Sequence, residues 1–360
     1  MSQLRGCHKA GVFGMVHLRA INLGSARRGI SSMPVQVEPT RAEIARGALD
    51  ARNLEKAVRA LHLDGLVVVK DVVPHHAIDL LNEKMVQDAL VLQARGEDGP
   101  FNYNQGNLQL DPPPIAKYFI PSIFTTWGPD LNPADPIATQ ITSGILGPRP
   151  QWTFCSANAA MPAAPGAPPP ERQPVHSDAD FAHPAHPFAL VVNVPLTKMA
   201  PANGSTELWL GTHQGGGAAA DDSGGVGQQL GAHGERASGR IDPRHLRARV
   251  AAGRPPVQPV VDKGSVVIRD LRLWHAGMPH RGTGAEARAR VMLAMIHFAP
   301  WYRGRMRLQF GSSIAGILEE EERAGRLGLE VPVDWVSDEE ALEAYMNRGF
   351  GNSYDFDQDD

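Results

Sequence analysis

Cysteine is almost absent from this chain: only Cys7 and Cys155 occur among its 360 residues. Two thiols exclude a disulfide framework, so a reducing compartment is expected. Long apolar runs are lacking too, since no stretch approaches the ~20 residues that a membrane span requires. The formal net charge of -4 leaves no excess of positive charge that would attract nucleic acid or an anionic membrane. With nucleic acid and membranes excluded, the expected partner is a small-molecule substrate. Formation of a homodimer stays open.

Acidic residues are missing from residues 1–37, where Lys and Arg stand among Ser, Gly and apolar residues. This composition fits a mitochondrial-type presequence, a disordered extension, or a segment upstream of an initiator at Met33. All three interpretations stay open. The expected localisation is therefore cytoplasmic with a mitochondrial alternative, and the segment is left out of the fold prediction.

Glycine and proline are frequent, at 37 and 30 residues, which favours strands joined by turns over a helical bundle. Thr40 and Glu43 have the spacing of a capping box, and a helix is predicted to continue from there to Asp64. Pro74 opens a second amphipathic helix. Strands are predicted at 66–69, 152–158, 188–196, 205–210, 265–270 and 288–296. The fold class is therefore mainly β with flanking helices.

The remaining stretches show little periodicity. Residues 102–150 are rich in amides and proline and are interpreted as turns, apart from a helix at 140–146. Residues 214–240 are rich in glycine and predict a mobile surface loop that orders when substrate binds. Beyond Phe310 the sequence is acidic, which indicates solvated helices and an exposed tail. The predicted divisions are an extension (1–37), a β domain with N-terminal helices (38–310) and an acidic helical C-terminal region (311–360).

One short segment carries most of the chemical information. His176 and Asp178 are two residues apart, so their side chains point the same way on an extended segment. His275, in the sequence Trp274-His275-Ala276-Gly277, would complete a set of two histidines and one carboxylate. Non-haem Fe(II) oxygenases use this set and leave coordination positions open for a cosubstrate and dioxygen. A His-x-Asp triplet also arises by chance, so the neighbouring motifs decide its meaning.

Further motifs follow these residues in order. They are Asn203-Gly204-Ser205-Thr206, Gly211-Thr212-His213, Gly264-Ser265 and Arg290-Val291-Met292-Leu293. With the two histidine motifs, and over about residues 54–302, the order resembles the phytanoyl-CoA dioxygenase-like (PhyH) family. The resemblance implies a double-stranded β-helix, which is a jelly-roll or cupin-like barrel. It also implies a non-haem iron, 2-oxoglutarate-dependent dioxygenase.

The resemblance assigns roles to individual residues. It makes His176, Asp178 and His275 the ligands of Fe(II), with 2-oxoglutarate and dioxygen as cosubstrates. It also places an arginine on the 5-carboxylate of 2-oxoglutarate, at the start of the strand after the second histidine. Arg290 matches this position, although four extra residues separate it from His275. Arg288 competes with it, because residues two apart share a strand face.

Two more residues match positions that contact the cosubstrate in relatives. Gln173 corresponds to a glutamine that several fungal relatives place against 2-oxoglutarate. Thr206 corresponds to the hydroxyl residue of the family's Asn-Gly-x-Thr turn, which reaches the 1-carboxylate. Either residue is equally well explained as a turn residue that satisfies backbone groups.

The expected reaction is oxidation, most simply hydroxylation, of a small and largely apolar metabolite with release of succinate and CO2. No basic cluster suited to a CoA pyrophosphate is visible, which favours a small metabolite over an acyl-CoA. Related halogenases have Ala or Gly at the position of Asp178, so the carboxylate here favours oxygenation over halogenation. One alternative is a cupin-type metal enzyme that does not use 2-oxoglutarate and so has no need of the arginine. A second is a catalytically silent binding protein on the same barrel, which intact ligands and an intact arginine argue against.

Overall fold

The computed structural model describes residues 32–120, 136–163, 166, 168–179, 183–214, 239–283, 287–302, 304 and 306–347. Its helices are α1 (Arg41–Arg46), α2 (Ala51–Asp64), α3 (His75–Gln93), α4 (Ile137–Leu146), α5 (Pro243–Ala251), α6 (Ala315–Arg323) and α7 (Asp338–Ala344). Its strands are β1 (Val35–Val37), β2 (Leu66–Val69), β3 (Asn107–Leu110), β4 (Gln151–Ala160), β5 (His176–Ser177), β6 (Ala189–Pro195), β7 (Glu207–Leu208), β8 (Gly239–Arg240), β9 (Val266–Asp270), β10 (His275–Ala276), β11 (Arg290–Phe298), β12 (Leu308–Gly311) and β13 (Val333–Val336). The predicted class, mainly β with flanking helices, is confirmed.

A seven-stranded sheet forms the centre of the molecule, in the order β1-β2-β9-β6-β11-β4-β3. Its strands are antiparallel except for the parallel pair β1 and β2. Helices α2, α3 and α4 pack on one face, against β2, β3, β6, β9 and β11. They form the main apolar core with that face. The sheet's other face lines a cavity.

A smaller sheet of four short strands, in the order β7-β10-β5-β8, carries the histidines singled out in the sequence. His275 on β10 lies directly opposite His176 on β5 in an antiparallel pair. The two sheets share no strand, so the ladders of the described residues do not join into a closed barrel.

The N-terminal helix prediction is correct at its start and wrong in its continuity. Thr40 and Glu43 form the capping box, with reciprocal side-chain to backbone hydrogen bonds. However, α1 ends at Gly47, whose φ of 75° is in the left-handed region that glycine tolerates. Asp50 then caps α2 as a separate helix by accepting from the Asn53 N–H.

The chain ends differ from the sequence interpretation in two respects. Strand β1 lies within the segment 1–37 and pairs with β2 in the main sheet, whereas residues 1–31 are outside the described residues. The acidic runs lie on helices, α6 and α7, as predicted, but the residues up to 347 do not form an exposed tail. Strands β12 and β13 pair in parallel, and Ile314, Leu318 and Leu329 are buried in the main core. Burial of these apolar side chains, and not the charge of the acidic runs around them, determines that this region packs on the core.

Two further expectations concern stretches of low periodicity. The interpretation of residues 102–150 as turns missed β3, whose Leu108 and Leu110 face the core. The loop predicted at 214–240 falls mostly on residues 215–238, which lie outside the described residues. In the described ranges, no helix combines the length and the apolarity needed to cross a membrane.

Candidate metal centre and cavity

His176, Asp178 and His275 come together in space. Each offers one ligand atom, and these atoms all lie within 4.8 Å of one another. The Asp178 Oδ1 atom is 3.8 Å from His176 Nε2 and 3.6 Å from His275 Nε2. The strand pairing of β5 with β10 brings the histidines together, and the two-residue spacing puts Asp178 on the side of His176. The three atoms face a common point, where they could hold a metal ion.

The ring orientation of both histidines is fixed by the backbone. His176 Nδ1 is 2.9 Å from the carbonyl oxygen of Pro174, and His275 Nδ1 is 3.0 Å from that of Leu273. A carbonyl oxygen only accepts, so each Nδ1 must carry the proton. Each Nε2 then carries a lone pair in place of a proton, and this is the tautomer that a metal ligand requires.

The pKa values of all three groups are lowered, although burial is not the cause in every case. It lowers the pKa of His176, and it lowers the pKa of His275 to about 3, so both rings are neutral at pH 7. Burial alone would raise the pKa of Asp178, but the positive charge of Arg269 and the nearby imidazoles hold it below its usual range. Two neutral imidazoles and one carboxylate are the donor set that suits ferrous iron.

The three side chains lie in a cavity between the two sheets. Apolar side chains of β2, β4, β6, β9 and β11 line much of it. Of the residues predicted from the sequence, Gln173, Thr206 and Arg290 also line this cavity. Arg288 is exposed and precedes β11, so it is not among the lining residues.

Arg290 is a buried cation, only 3% exposed. Its guanidinium donates to the carbonyl oxygens of Gly204, at 2.5 Å, and Asn203, at 3.5 Å. The Nη1 atom has no hydrogen-bond partner, and none of the ion pairs formed by the described residues includes Arg290. Burial lowers its pKa to about 10, which leaves it charged at pH 7. An unpaired charge in such a place is costly, so the cavity favours an anion here.

Gln173 connects the two segments that carry the histidines. Its Oε1 accepts from the Gly277 N–H at 2.7 Å, and its own backbone N–H donates to the Gly277 carbonyl at 2.9 Å. A Cβ on Gly277 would lie 2.5 Å from Gln173 Oε1 and 2.6 Å from Asn107 Oδ1, so any larger residue there would displace these two side chains. Thr206 lies at the cavity wall and is half-buried.

Sequence reasoning missed several polar residues of the cavity. Arg269 on β9 donates from Nη2 to Asp178 Oδ2. Gln109 on β3 and Asn158 on β4 are direct cross-strand neighbours, and both line the cavity. The alternation of Asn107 and Gln109 with two leucines was a period-two signal for a strand with one polar face, and it could have identified β3.

The solved structures to which this chain is similar include two of SnoN and one of AviO1. The non-heme alpha ketoglutarate dependent epimerase SnoN from nogalamycin biosynthesis is 13% identical, with a TM-score of 0.43, over 69% of this chain and 83% of that one. A SnoN structure in complex with Fe3+, alpha ketoglutarate and nogalamycin RO is 14% identical, with a TM-score of 0.45, over 69% of this chain and 84% of that one. AviO1 from Streptomyces viridochromogenes Tue57 is 16% identical, with a TM-score of 0.40, over 69% of this chain and 96% of that one. Similarities this distant assign no reaction to this chain.

The match at the level of sequence families is more extensive. The model described as Phytanoyl-CoA dioxygenase (PhyH) matches residues 61–289, which is more than half of the 360 residues. The matched range runs from the end of α2 to the residue before β11 and includes all three clustered side chains. The chain therefore belongs to the phytanoyl-CoA dioxygenase (PhyH) family.

Proposed function

We propose that this protein is an Fe(II)- and 2-oxoglutarate-dependent oxygenase that oxidises, most simply hydroxylates, a small metabolite in the cavity. The observation that carries the proposal is the unpaired guanidinium of Arg290, which lines the same cavity as the His-Asp-His cluster. A cupin-type enzyme that uses a metal alone has no need of a buried cation at this place. The two-sheet arrangement fits the double-stranded β-helix that we propose for the domain.

The three clustered residues would hold the iron through His176 Nε2, His275 Nε2 and Asp178 Oδ1. Their neutral rings, fixed tautomers and single deprotonated carboxylate fit this ion without any change of protonation at pH 7. When bound, the iron would supply reduction of dioxygen coupled to decarboxylation of the 2-oxo acid, which leaves as succinate and CO2.

Arg290 would bind the distal carboxylate of 2-oxoglutarate. A guanidinium presents a planar pair of donors that matches a carboxylate, and burial strengthens the interaction. The contacts to the carbonyl oxygens of Gly204 and Asn203 hold the guanidinium in place and leave Nη1 for the incoming anion. Thr206, on the same turn, and Gln173 would contact the cosubstrate from the side of the cavity wall.

The substrate would be a compact, largely apolar molecule. Apolar side chains of the main sheet and of the loop leading to β9 form most of the wall. Among the described residues that line it, the only cations are Arg269 and Arg290. One is paired with Asp178 and the other is assigned to the cosubstrate, so neither is available to a CoA phosphate. We therefore favour a small metabolite over an acyl-CoA.

The test is turnover of 2-oxoglutarate by the full chain with Fe(II) in labelled dioxygen. We expect oxygen-dependent succinate carrying one atom of the label, and loss of this product in His176→Ala and Asp178→Ala. His75→Ala is the control, because this half-exposed histidine lies outside the cavity. Full succinate release by either ligand variant would remove the cluster from the chemistry. Absence of succinate in the folded, iron-loaded wild type would favour the metal enzyme without 2-oxoglutarate or the silent binding protein.

A further inference from the structure

Arg269 is a second buried arginine of the cavity, and it contacts a member of the cluster directly. It lies on β9, is 7% exposed, and has Val191 of β6 and Leu66 of β2 as its cross-strand partners. Its Nη2 donates to Asp178 Oδ2, while Nη1 is buried without a hydrogen-bond partner. Asp178 is the only carboxylate among the described residues that line the cavity. An arginine in apolar surroundings is therefore directed at this one group.

The two oxygens of Asp178 have different neighbours. Oδ1 faces the two histidines, at 3.6 Å and 3.8 Å from their Nε2 atoms, whereas Oδ2 is the acceptor of the Arg269 hydrogen bond. A carboxylate can bind a metal through one oxygen or through both. With Oδ2 held by Arg269, only Oδ1 is free to face a metal at the common point of the cluster.

We propose that Arg269 is a positioning residue that holds Oδ2 of Asp178, so that the carboxylate binds the metal through Oδ1 alone. This inference rests on the proposed function, since its consequence is a coordination position that stays open for 2-oxoglutarate. Groups that hydrogen-bond a metal ligand commonly set its orientation in this way.

Because Arg269 is charged, its removal should change the metal affinity and the 2-oxoglutarate affinity in opposite directions. A guanidinium beside the cluster repels a divalent cation, so Arg269 weakens metal binding while it orders the ligand. Removing it would release Oδ2 as an additional ligand and would remove the repulsion. Metal would then bind more tightly and 2-oxoglutarate more weakly. A side chain with only a packing role would weaken both on removal.

The experiment compares full-length wild type with Arg269→Met, an unbranched apolar replacement, and with Arg269→Lys, which keeps the charge and one donor. Co(II) titration gives the metal affinity without turnover, and anaerobic 2-oxoglutarate titration of the Fe(II)-loaded chain gives the cosubstrate affinity. For Arg269→Met we expect the Co(II) dissociation constant to fall at least about tenfold and the 2-oxoglutarate constant to rise at least about tenfold. Arg269→Lys should keep the metal affinity of wild type and recover part of the 2-oxoglutarate affinity.

Arg249→Met is the matched control. Arg249 is also a buried arginine, 3% exposed on α5, and it donates to the Leu210 carbonyl at 2.7 Å outside the cavity. Arg249→Met should leave the dissociation constants for Co(II) and for 2-oxoglutarate unchanged. If Arg269→Met does not fold, as judged by circular dichroism, Arg269→Leu, which also lacks a donor, replaces it with the same two expected shifts.

The outcomes separate this inference from the proposed function. A folded Arg269→Met variant that binds Co(II) and 2-oxoglutarate as tightly as wild type, or binds both more weakly, overturns the role of Arg269. The proposed function is left standing in that case. Wild type that binds Co(II) but shows no 2-oxoglutarate binding overturns the proposed function. In that case the Co(II) titration still decides whether Arg269 opposes metal binding.

Discussion

The Arg290 side chain makes the sharpest prediction at the scale of single residues. Arg290→Leu would leave the distal carboxylate of 2-oxoglutarate without its buried partner, at a cost of roughly 3–5 kcal/mol. We therefore expect the 2-oxoglutarate concentration for half-maximal succinate release to rise at least about hundredfold. Iron affinity should change little, because Arg290 is not a member of the cluster.

Arg288→Leu is the control for this prediction, since Arg288 is exposed and lies two residues before Arg290. It should leave the 2-oxoglutarate requirement close to that of wild type. The reverse pattern, with Arg288→Leu impaired and Arg290→Leu normal, would mean that the cosubstrate is bound at another place.

Residues differ in how well the sequence revealed them. The grouping of His176 with Asp178 follows from strand geometry alone, and a family pattern was enough to find Arg290 in the cavity wall. Arg269 was missed because nothing in a strand sequence says whether an arginine faces water or a buried carboxylate. That choice depends on β9 lying beside β6 in the sheet, and so on contacts between distant parts of the chain.

At the scale of elements, Gly277 determines how closely the segment after β10 approaches Gln173. Gly277→Ala would place a methyl group 2.5 Å from Gln173 Oε1, so the Gln173 side chain must move and the hydrogen bond by which it joins the two segments is disturbed. Because these segments carry His275 and His176, we expect Fe(II) affinity to fall at least about tenfold. Titration of the full chain with Fe(II) under anaerobic conditions measures this.

Gly316→Ala is the matched control, because no atom lies within 4 Å of a Cβ added there in α6. It should leave Fe(II) affinity unchanged and stabilise the helix by about 0.5–1 kcal/mol. Normal Fe(II) binding by Gly277→Ala would mean that the contact with Gln173 does not set the histidine positions.

The Glu43 carboxylate joins α1 to α2 and gives a prediction that depends on pH. Burial raises its pKa, but hydrogen bonds from the backbone of Thr40 and Asp50 and from Asn53 outweigh this and lower the pKa to about 2. A group whose pKa is depressed on folding stabilises the protein above its unfolded pKa and loses this effect as pH falls. Glu43→Gln should therefore cost about 2 kcal/mol of unfolding free energy at pH 7.

The difference from wild type should shrink as pH falls from about 4.5 towards about 2, where Glu43 itself is protonated. Urea unfolding across this pH range is the measurement. Glu55→Gln, at an exposed position of α2, should have no comparable effect. A difference that stays constant with pH would assign the effect to packing instead of charge.

Elements with strong local signals were predictable, and those defined by distant partners were not. Strand β2 matches its prediction because Leu66–Val69 is a short apolar run that a fully buried strand requires. The break between α1 and α2 was missed because apolar residues continue at helical spacing across Gly47. Strand β7 is only Glu207–Leu208 in place of the predicted 205–210, since its ladder ends where its partner β10 ends.

At the scale of the whole molecule, Tyr345 adds a polar contact to the apolar packing that attaches the C-terminal region to the core. Its hydroxyl accepts from Lys84 Nζ at 2.7 Å and donates to Asp88 Oδ2 at 3.1 Å, and Asp88 is buried on α3. Tyr345→Phe should lower the free energy of unfolding by about 1–2 kcal/mol, because Asp88 loses a hydrogen bond inside the protein. Turnover should be unchanged, since Tyr345 does not line the cavity.

Urea unfolding of Tyr345→Phe and of Leu342→Ala, an exposed position on α7, provides the comparison. The second variant should stay within about 0.5 kcal/mol of wild type. Equal stability of wild type and Tyr345→Phe would mean that the hydrogen bond from Tyr345 to Asp88 does not hold α7 in place. The acidic runs around this helix concealed the attachment, because a charge pattern reports the solvated face and says nothing of the face that packs.

The most direct measurement of the central claim is anaerobic addition of 2-oxoglutarate to the Fe(II)-loaded chain, followed in the visible spectrum. If His176, Asp178 and His275 hold iron and leave room for a chelating 2-oxo acid, a weak charge-transfer band should appear and saturate at one cosubstrate per chain. The band should require far more 2-oxoglutarate in Arg290→Leu and should be lost in His275→Ala. An iron-loaded wild type that shows no band, or a band that His275→Ala leaves unchanged, would contradict the account.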